Sequence, residues 1–124
     1  MPVEVKDSIL LSIKQMLGGL DPTYDSSFDT DIIIFINSSL ATLTQLGVGP
    51  KEGFEIEDDQ ATWQDFIGTD KRLNMVKTFV YLDVRCSFDP PRMSFVLEAL
   101  KEKRDEQLWR VNHWVDIDGT STDV

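Results

Sequence analysis

The sequence predicts an all-α fold, namely a four-helix, antiparallel, bundle-like subunit with a short hairpin or loop insertion and a long C-terminal helix. Apolar residues recur at spacings of three and four along most of the chain, which is typical of helices with one buried face. Glycine or proline interrupts this pattern where helices would end, as at Gly18, Gly47 and Pro90. With 124 residues, 41% of them apolar, the chain is long enough to form one domain around a single core.

The first predicted helix covers residues 3–17. Its apolar stripe ends at Gly18 and Gly19, and the polar, proline-containing segment 21–27 predicts a loop.

The second predicted helix covers residues 29–46. Asp29 and Asp31 suit the start of a helix, and Gly47 suits its C-terminal end. The run at 32–36 has strand propensity, but the stripe continues at spacings of four and three, which favours a helix. The first two turns are apolar nearly all round, so we expect them to contact a partner.

Short elements are predicted between residues 54 and 68. Two alternating pieces around Asp58 and Asp59 indicate a small hairpin. Thr62 and Asp65 have the spacing of a capping box for a single helical turn at 63–67.

Two long helices are predicted in the last third of the chain. The first covers residues 70–88, and Asp89 is predicted as the N-cap of the second, because proline suits a first helical turn. The second extends to Trp114, and its length of about 25 residues gives roughly 38 Å. A compact domain of this size is about 35 Å across, so we expect the helix to span the domain or protrude from it. We therefore divide the chain into a helical domain, 1–112, and a polar C-terminal tail, 113–124.

The charge limits the possible partners. The net charge is −10 and the pI about 4.4, so a broad surface would repel nucleic acid phosphates and anionic membranes. The longest apolar run, residues 32–36, is far shorter than the roughly 20 residues of a membrane span, so no membrane association is expected.

The glycine-rich stretch QLGVGPKEGFEI, residues 45–56, does not predict a phosphate site. A phosphate-binding loop follows a strand and has Ser or Thr after its lysine, whereas this stretch follows a predicted helix and Lys51 precedes Glu52. The pattern favours a helix C-cap followed by a turn.

Other chemistry has little support in the sequence, and no cofactor is expected. The acidic residues around Asp58 and the segment 116–119 lack the ligand spacing of a calcium loop, so no metal is expected. Cys86 lies on an apolar stripe, where a cysteine is usually a small core residue. Nucleophilic catalysis would need Cys86 or a serine beside a base, and a contact of Cys86 with His113, the single histidine, would support it. Acidic residues are plentiful enough for paired-carboxylate catalysis, but nothing in the sequence singles out a pair.

The order of the pieces resembles the small head–tail connector, or adaptor, proteins of tailed bacteriophages, over roughly residues 5–112. The pieces are "ILLSIKQMLGG", "FDTDIIIFINSSLATLTQLGVGPKEGFEI", "TWQDFIG", "VKTFVYLDVRCSFDPP" and "SFVLEALKEKRDEQLWRVN". The "QLGVGP" turn with its acidic continuation and the "FDPP" joint are the most specific of them.

The resemblance implies an α-helical, non-enzymatic subunit that forms a ring of about a dozen copies. Such a ring is made in the host bacterial cytoplasm and docks under the portal protein in the virion neck. It receives the tail or a stopper protein, and DNA passes through its centre without specific binding.

The resemblance also suggests two interfaces, because the C-terminal segment of such adaptors commonly reaches into the portal. We expect a portal interface at Trp109, Val111, His113, Trp114, Val115 and Ile117. For a neighbouring subunit or the next ring, we expect a loop interface at Phe54, Glu55, Ile56, Asp58 and Asp59. The extension from residue 113 to 124 runs past the usual end of the family.

One alternative uses the charge differently. A small acidic protein can mimic DNA and inhibit a host enzyme by occupying its basic cleft. Such an inhibitor would be a monomer or dimer, and it would leave the long helix and its tryptophans unexplained.

Overall fold

The computed structural model describes residues 4–18 and 26–114, and within these ranges the all-α prediction is confirmed. The helices are α1 (Ile9–Met16), α2 (Asp29–Gln45), α3 (Trp63–Ile67), α4 (Leu73–Phe88) and α5 (Ser94–Asn112). The described ranges contain no strand, and their one isolated antiparallel bridge joins Ser8 to Thr62. None of the helices in these ranges is long and apolar enough to cross a membrane.

The helix α4 lies at the centre of the fold. It packs against both α2 and α5, and α1 packs against α2 and α4. The rings of Phe28 and Phe88 lie 5.6 Å apart, so the start of α2 meets the end of α4 and the two helices are antiparallel. The residues that form the centre of the core are fully or almost fully buried: Ile9, Ile13, Ile36, Leu40, Leu43, Val76, Val80 and Val84.

The segment before α1 is held by the segment before α3. Ser8 caps α1, because its Oγ accepts a hydrogen bond from the Leu11 N–H at 3.1 Å. The Trp63 N–H donates to the Asp7 carbonyl at 3.0 Å, and its indole Nε1 donates to Ser12 Oγ at 2.9 Å. These contacts keep the chain before Ile9 out of the helix, so α1 is shorter than the predicted 3–17.

The predicted α2 forms in spite of its strand-like run. Ile32 and Ile36 are buried, whereas Ile34 is 59% exposed. One isoleucine of the apolar first turns therefore faces solvent. Gly47, with a positive φ of 86°, ends the helix in a Schellman motif: its N–H donates to Thr44 O and the Val48 N–H to Leu43 O, both at 3.0 Å. The predicted capping box at Thr62 and Asp65 is also confirmed.

The predicted hairpin is wrong. Residues 53–62 form a loop. The backbone of Ile56 is paired with a side chain, and the end of the loop is held by the chain at the start of α1, through the Ser8–Thr62 bridge and the hydrogen bond from the Ile9 N–H to the Ala61 carbonyl. Asn37 donates from Nδ2 to the Ile56 carbonyl at 3.0 Å and accepts from the Ile56 N–H at 2.8 Å. Ile56 is buried in the core. The alternation of apolar and polar residues in the sequence therefore reflects one buried side chain and not a paired strand.

The last helix also differs from the prediction. α5 has 19 residues, about 28 Å, because it begins at Ser94 instead of beside the prolines. The predicted N-cap role of Asp89 is wrong, since this residue is the C-cap of α4 and Met93 precedes α5. Residues before proline avoid helical backbone angles, and both Asp89 and Pro90 precede a proline.

Candidate protein-interaction surfaces

The C-terminal end of α5 presents an aromatic pair to solvent. The Trp109 side chain is 62% exposed. The His113 ring stacks on it with centroids 4.4 Å apart and an angle of 20°. The His113 N–H also donates to the Trp109 carbonyl, at 3.0 Å. An exposed tryptophan whose ring stacks on a neighbouring side chain is the kind of residue that anchors protein interfaces.

A buried arginine fixes the position of this end. Arg72 is 4% exposed, and its Nη1 donates to the Val111 carbonyl at 3.3 Å. That carbonyl belongs to the last turn of α5, where helical partners are lacking. The same guanidinium forms a two-point ion pair with Asp70, from Nε to Oδ1 at 3.0 Å and from Nη2 to Oδ2 at 2.6 Å. α5 is therefore tied to the segment before α4.

The ion pair sets the protonation of Asp70. Partial burial on its own raises the pKa of this carboxyl. The hydrogen bonds and positive charge of Arg72 outweigh burial and lower the pKa below its usual value of 3.8. The carboxylate is therefore charged at neutral pH, and the pair is complete.

The residues predicted for the portal interface lie in different environments. Trp109 and His113 are exposed, and Trp114 is half-buried. Val111 is fully buried in the core, so it supports the surface from inside. Val115 and Ile117 lie outside the described residues. The predicted surface therefore consists, within the described residues, of the aromatic pair and Trp114.

The loop predicted as a second interface is acidic on its outside. Glu55 and Asp58 are exposed, and Asp59 is half-buried. Phe54 packs against Phe66 with ring centroids 5.4 Å apart, and Ile56 belongs to the core. The loop is thus anchored by its apolar residues and presents its carboxylates to solvent.

Within residues 4–18 and 26–114, no group of three or more His, Cys, Asp or Glu side chains is arranged to hold a metal ion. The carboxylates at the tip of the loop accept hydrogen bonds from a residue of the same loop. Gln60 donates from its N–H to Asp58 Oδ1 at 2.9 Å and from Nε2 to Asp59 Oδ1 at 2.6 Å.

The glycine-rich stretch has structural roles. Gly49 has φ +80°, and a Cβ placed there would lie 2.5 Å from the Phe66 ring. Only glycine fits this position, because both the conformation and the close approach exclude a side chain. The Gly53 N–H donates to the Pro50 carbonyl at 3.0 Å, within the turn that continues the loop. The predicted helix cap and turn are therefore confirmed.

A polar contact links three helices near Cys86. Ser39 Oγ on α2 donates to Asp83 Oδ2 at 2.7 Å, and Arg104 on α5 lies 3.6 Å from Asp83 Oδ1. Burial raises the pKa of the Cys86 thiol, although the nearby Arg104 opposes the shift. The thiol is thus less ionised than usual and shares no hydrogen bond with His113 in the described structure. The contact between Cys86 and His113 that the sequence raised is therefore not formed among the described residues.

The opposite end of α5 presents apolar side chains to solvent, among them Met93, whose predicted place on the buried apolar side of the last helix is wrong. Phe95 is 67% exposed and Met93 58%. We define the knob as Met93 and Phe95. In the sequence, Phe95 does not share the helix face of Leu97 and Leu100, and this offset was the signal that its side chain would be exposed.

The knob extends past its neighbouring helix. Asp83 faces Arg104 in the antiparallel pair, so Phe88, the last residue of α4, lies level with Ala99. Residues 94–98 consequently extend beyond α4. At the tryptophan end, by contrast, Arg72 holds the helix to the domain.

A groove lies at the other end of the bundle, where α2 ends beside the end of α5. We define the α2–α5 groove by Gln45, Leu46, Gly49, Lys51 and Asn112, which line it together with Thr44 and Gly47. Its volume is about 480 Å³. A smaller depression of about 250 Å³ adjoins it between Leu46 and Trp109.

Comparison with known proteins gives one match. A family model described as "Phage connector protein" matches residues 9–117, which is most of the chain. No curated protein and no solved structure matched it.

Proposed function

The chain belongs to the phage connector protein family, and we propose that it is an adaptor subunit that joins the portal of a tailed phage to the tail. The family match confirms the resemblance seen in the sequence, and it supports a connector role and a position in the virion neck. The adaptor ring, its portal contact and its tail-side contact are the proposed refinement.

The observation that supports the portal contact is the aromatic pair at the end of α5. Trp109 exposes more than half of its side chain, although Val111 two residues later is fully buried. The helix end is therefore rigid while its aromatic face is uncovered. Trp114 follows in the sequence, and with residues 115–124 it completes the segment that we assign to the portal contact. Val115 and Ile117 supply the apolar residues of that segment.

The charge of the subunit suits a channel for DNA. A net charge of −10 per copy, with Glu55 and Asp58 exposed on a loop held by Asn37, gives a ring that repels the phosphate backbone. DNA then passes without specific binding. No observation favours the alternative function of an acidic inhibitor, because the family match supports a connector.

The copies form a ring of about twelve, and the acidic loop lies toward a neighbouring subunit or the next ring. Because a cyclic ring is built from heterologous contacts, each copy contributes two different surfaces. The role is mechanical, with no catalysis and no cofactor, and the ring is assembled in the host cytoplasm before it becomes part of the neck.

Sedimentation with the portal of the same phage tests the proposal. The full chain is expected to sediment with the portal ring, and a Trp109→Ala variant is expected to lose at least nine-tenths of the bound protein. Arg110→Ala is the matched control, since Arg110 is exposed on the next residue and its ion pair with Glu106 lies in solvent. The proposed portal contact is contradicted if both variants bind equally well.

A further inference from the structure

We propose that the knob at the start of α5 in one copy binds the α2–α5 groove of the next copy. This inference rests on the proposed ring, and it assigns the two surfaces through which neighbouring copies meet.

The knob has the form of a docking element. Met93 and Phe95 expose 58% and 67% of their surface, and residues 94–98 extend beyond the end of α4. Neither side chain belongs to the core or packs against it. Large apolar side chains gathered on a protruding turn mark a site of protein contact.

The groove is a suitable receptor. Leu46, Gly47 and Gly49 give it an apolar floor with little side-chain bulk, and Asn112 closes one side. A Cβ at Gly49 would meet the Phe66 ring, so this residue lines the groove with backbone alone. A cavity of about 480 Å³ has room for the ring of Phe95.

The two surfaces cannot meet within one copy. Phe95 and Asn112 lie near opposite ends of α5, and 17 residues of helix separate them by about 25 Å. A contact between them therefore joins different copies and uses a different surface on each. Such a heterologous contact is the kind that closes rings.

Charge also favours this pairing. Lys51 is exposed at the rim of the groove, and Glu98, which pairs with Lys101 of its own helix at 3.6 Å, lies one helical turn after Phe95 on the same side of α5. Seating the knob therefore brings opposite charges together at the edge of the contact. The contact is smaller than the roughly 800 Å² per partner of a stable interface, so single pairs should be weak and ring closure should strengthen them.

Crosslinking between two single-cysteine variants tests the contact without requiring a strong complex. Both variants are full-length chains with Cys86→Ala. One carries Ser94→Cys beside the knob, and the other carries Gln45→Cys in the groove; both positions are exposed. Mixed with a short bismaleimide, they are expected to give a dimer of twice the 14.1 kDa chain mass.

The matched control replaces Gln45→Cys by Ser38→Cys, which is exposed on the same helix two turns away. We expect the groove pair to crosslink at least ten times faster than the control pair, and Phe95→Asp in the knob variant to remove this excess. Phe95 lies outside the core, so the variant should keep the thermal stability of its parent.

Equal rates for the two pairs overturn the inference and leave the knob to another occupant, such as a tail-side protein. Faster crosslinking of the knob variant to itself also overturns it, because the contact would then be isologous. Portal sedimentation separates this inference from the proposed function. Portal binding without the crosslink leaves the adaptor standing, and the crosslink without portal binding leaves only the self-contact.

Discussion

Replacing Arg72 should loosen the attachment of α5 more than any exposed ion pair does. Arg72→Met keeps an unbranched apolar side chain of similar length but removes the charge and the hydrogen bonds. Asp70 then loses its partner while partly buried, and the Val111 carbonyl loses its donor.

The magnitude follows from these two losses. Breaking a fully buried ion pair costs about 3–5 kcal/mol, and the 22% exposure of the Asp70 side chain reduces this to about 2. An unsatisfied carbonyl adds about 1 kcal/mol. The total of about 3 kcal/mol corresponds to a decrease of about 10 °C in Tm for a domain of this size.

Urea and thermal unfolding, followed by circular dichroism at neutral pH, measure this loss. Arg110→Ala is the control, because its ion pair with Glu106 has both side chains about half exposed and should contribute less than about 0.5 kcal/mol. If Arg72→Met destabilises the fold no more than Arg110→Ala, the arginine does not hold the end of α5.

Three further predictions concern acid stability, the glycine turn and the loop anchor. Because the folded pKa of Asp70 is lowered, its contribution is complete above pH 3.8 and is lost as the pH falls through the folded value. Acid titration of unfolding should therefore show the wild type losing its advantage over Asp70→Asn below pH 4, whereas a constant difference would contradict this. Gly49→Ala should cost about 3 kcal/mol from left-handed strain and overlap with an aromatic ring, against about 1 for Gly53→Ala, which meets only open space; similar urea midpoints would contradict the close approach. Asn37→Ala should cost about 2 kcal/mol and speed proteolysis of the 53–62 loop, with exposed Ser38→Ala unchanged within about 0.5 kcal/mol. Equal cleavage rates would show that the amide does not anchor the loop.

Local sequence signals predicted the local structure well. The capping box of α3 depends on Thr62 and Asp65, three residues apart, and the end of α2 depends on Gly47 and the turn before it. Both are determined by a few neighbouring residues, so one sequence is enough to find them. The helical stripe through α2 likewise outweighed the strand propensity of its isoleucines, because burial of one face decides such cases.

Contacts between distant residues were beyond the sequence. Asn37 holds Ile56 from 19 positions away, yet in sequence it resembles only a glycosylation acceptor. Arg72 reaches Val111 across 39 positions, and nothing near either residue indicates this contact. The hairpin was predicted from alternation alone, and alternation does not distinguish a paired strand from a loop held by the Asn37 amide and by the chain at the start of α1.

The candidate surfaces show the same division. The exposed tryptophan was found through the resemblance, which implies that the C-terminal segment contacts the portal. Val111 was assigned to the same surface although it belongs to the core, since helix rotation relative to α4 is decided by packing. The protruding knob was missed because the register between α4 and α5 depends on the contact of Asp83 with Arg104.

The most direct test of the adaptor is the mass of the portal ring after it is mixed with the full chain. A ring of about twelve copies, each of 14.1 kDa, should add roughly 170 kDa. Removal of residues 109–124 should abolish the gain. A portal whose mass is unchanged by the full chain would contradict the account.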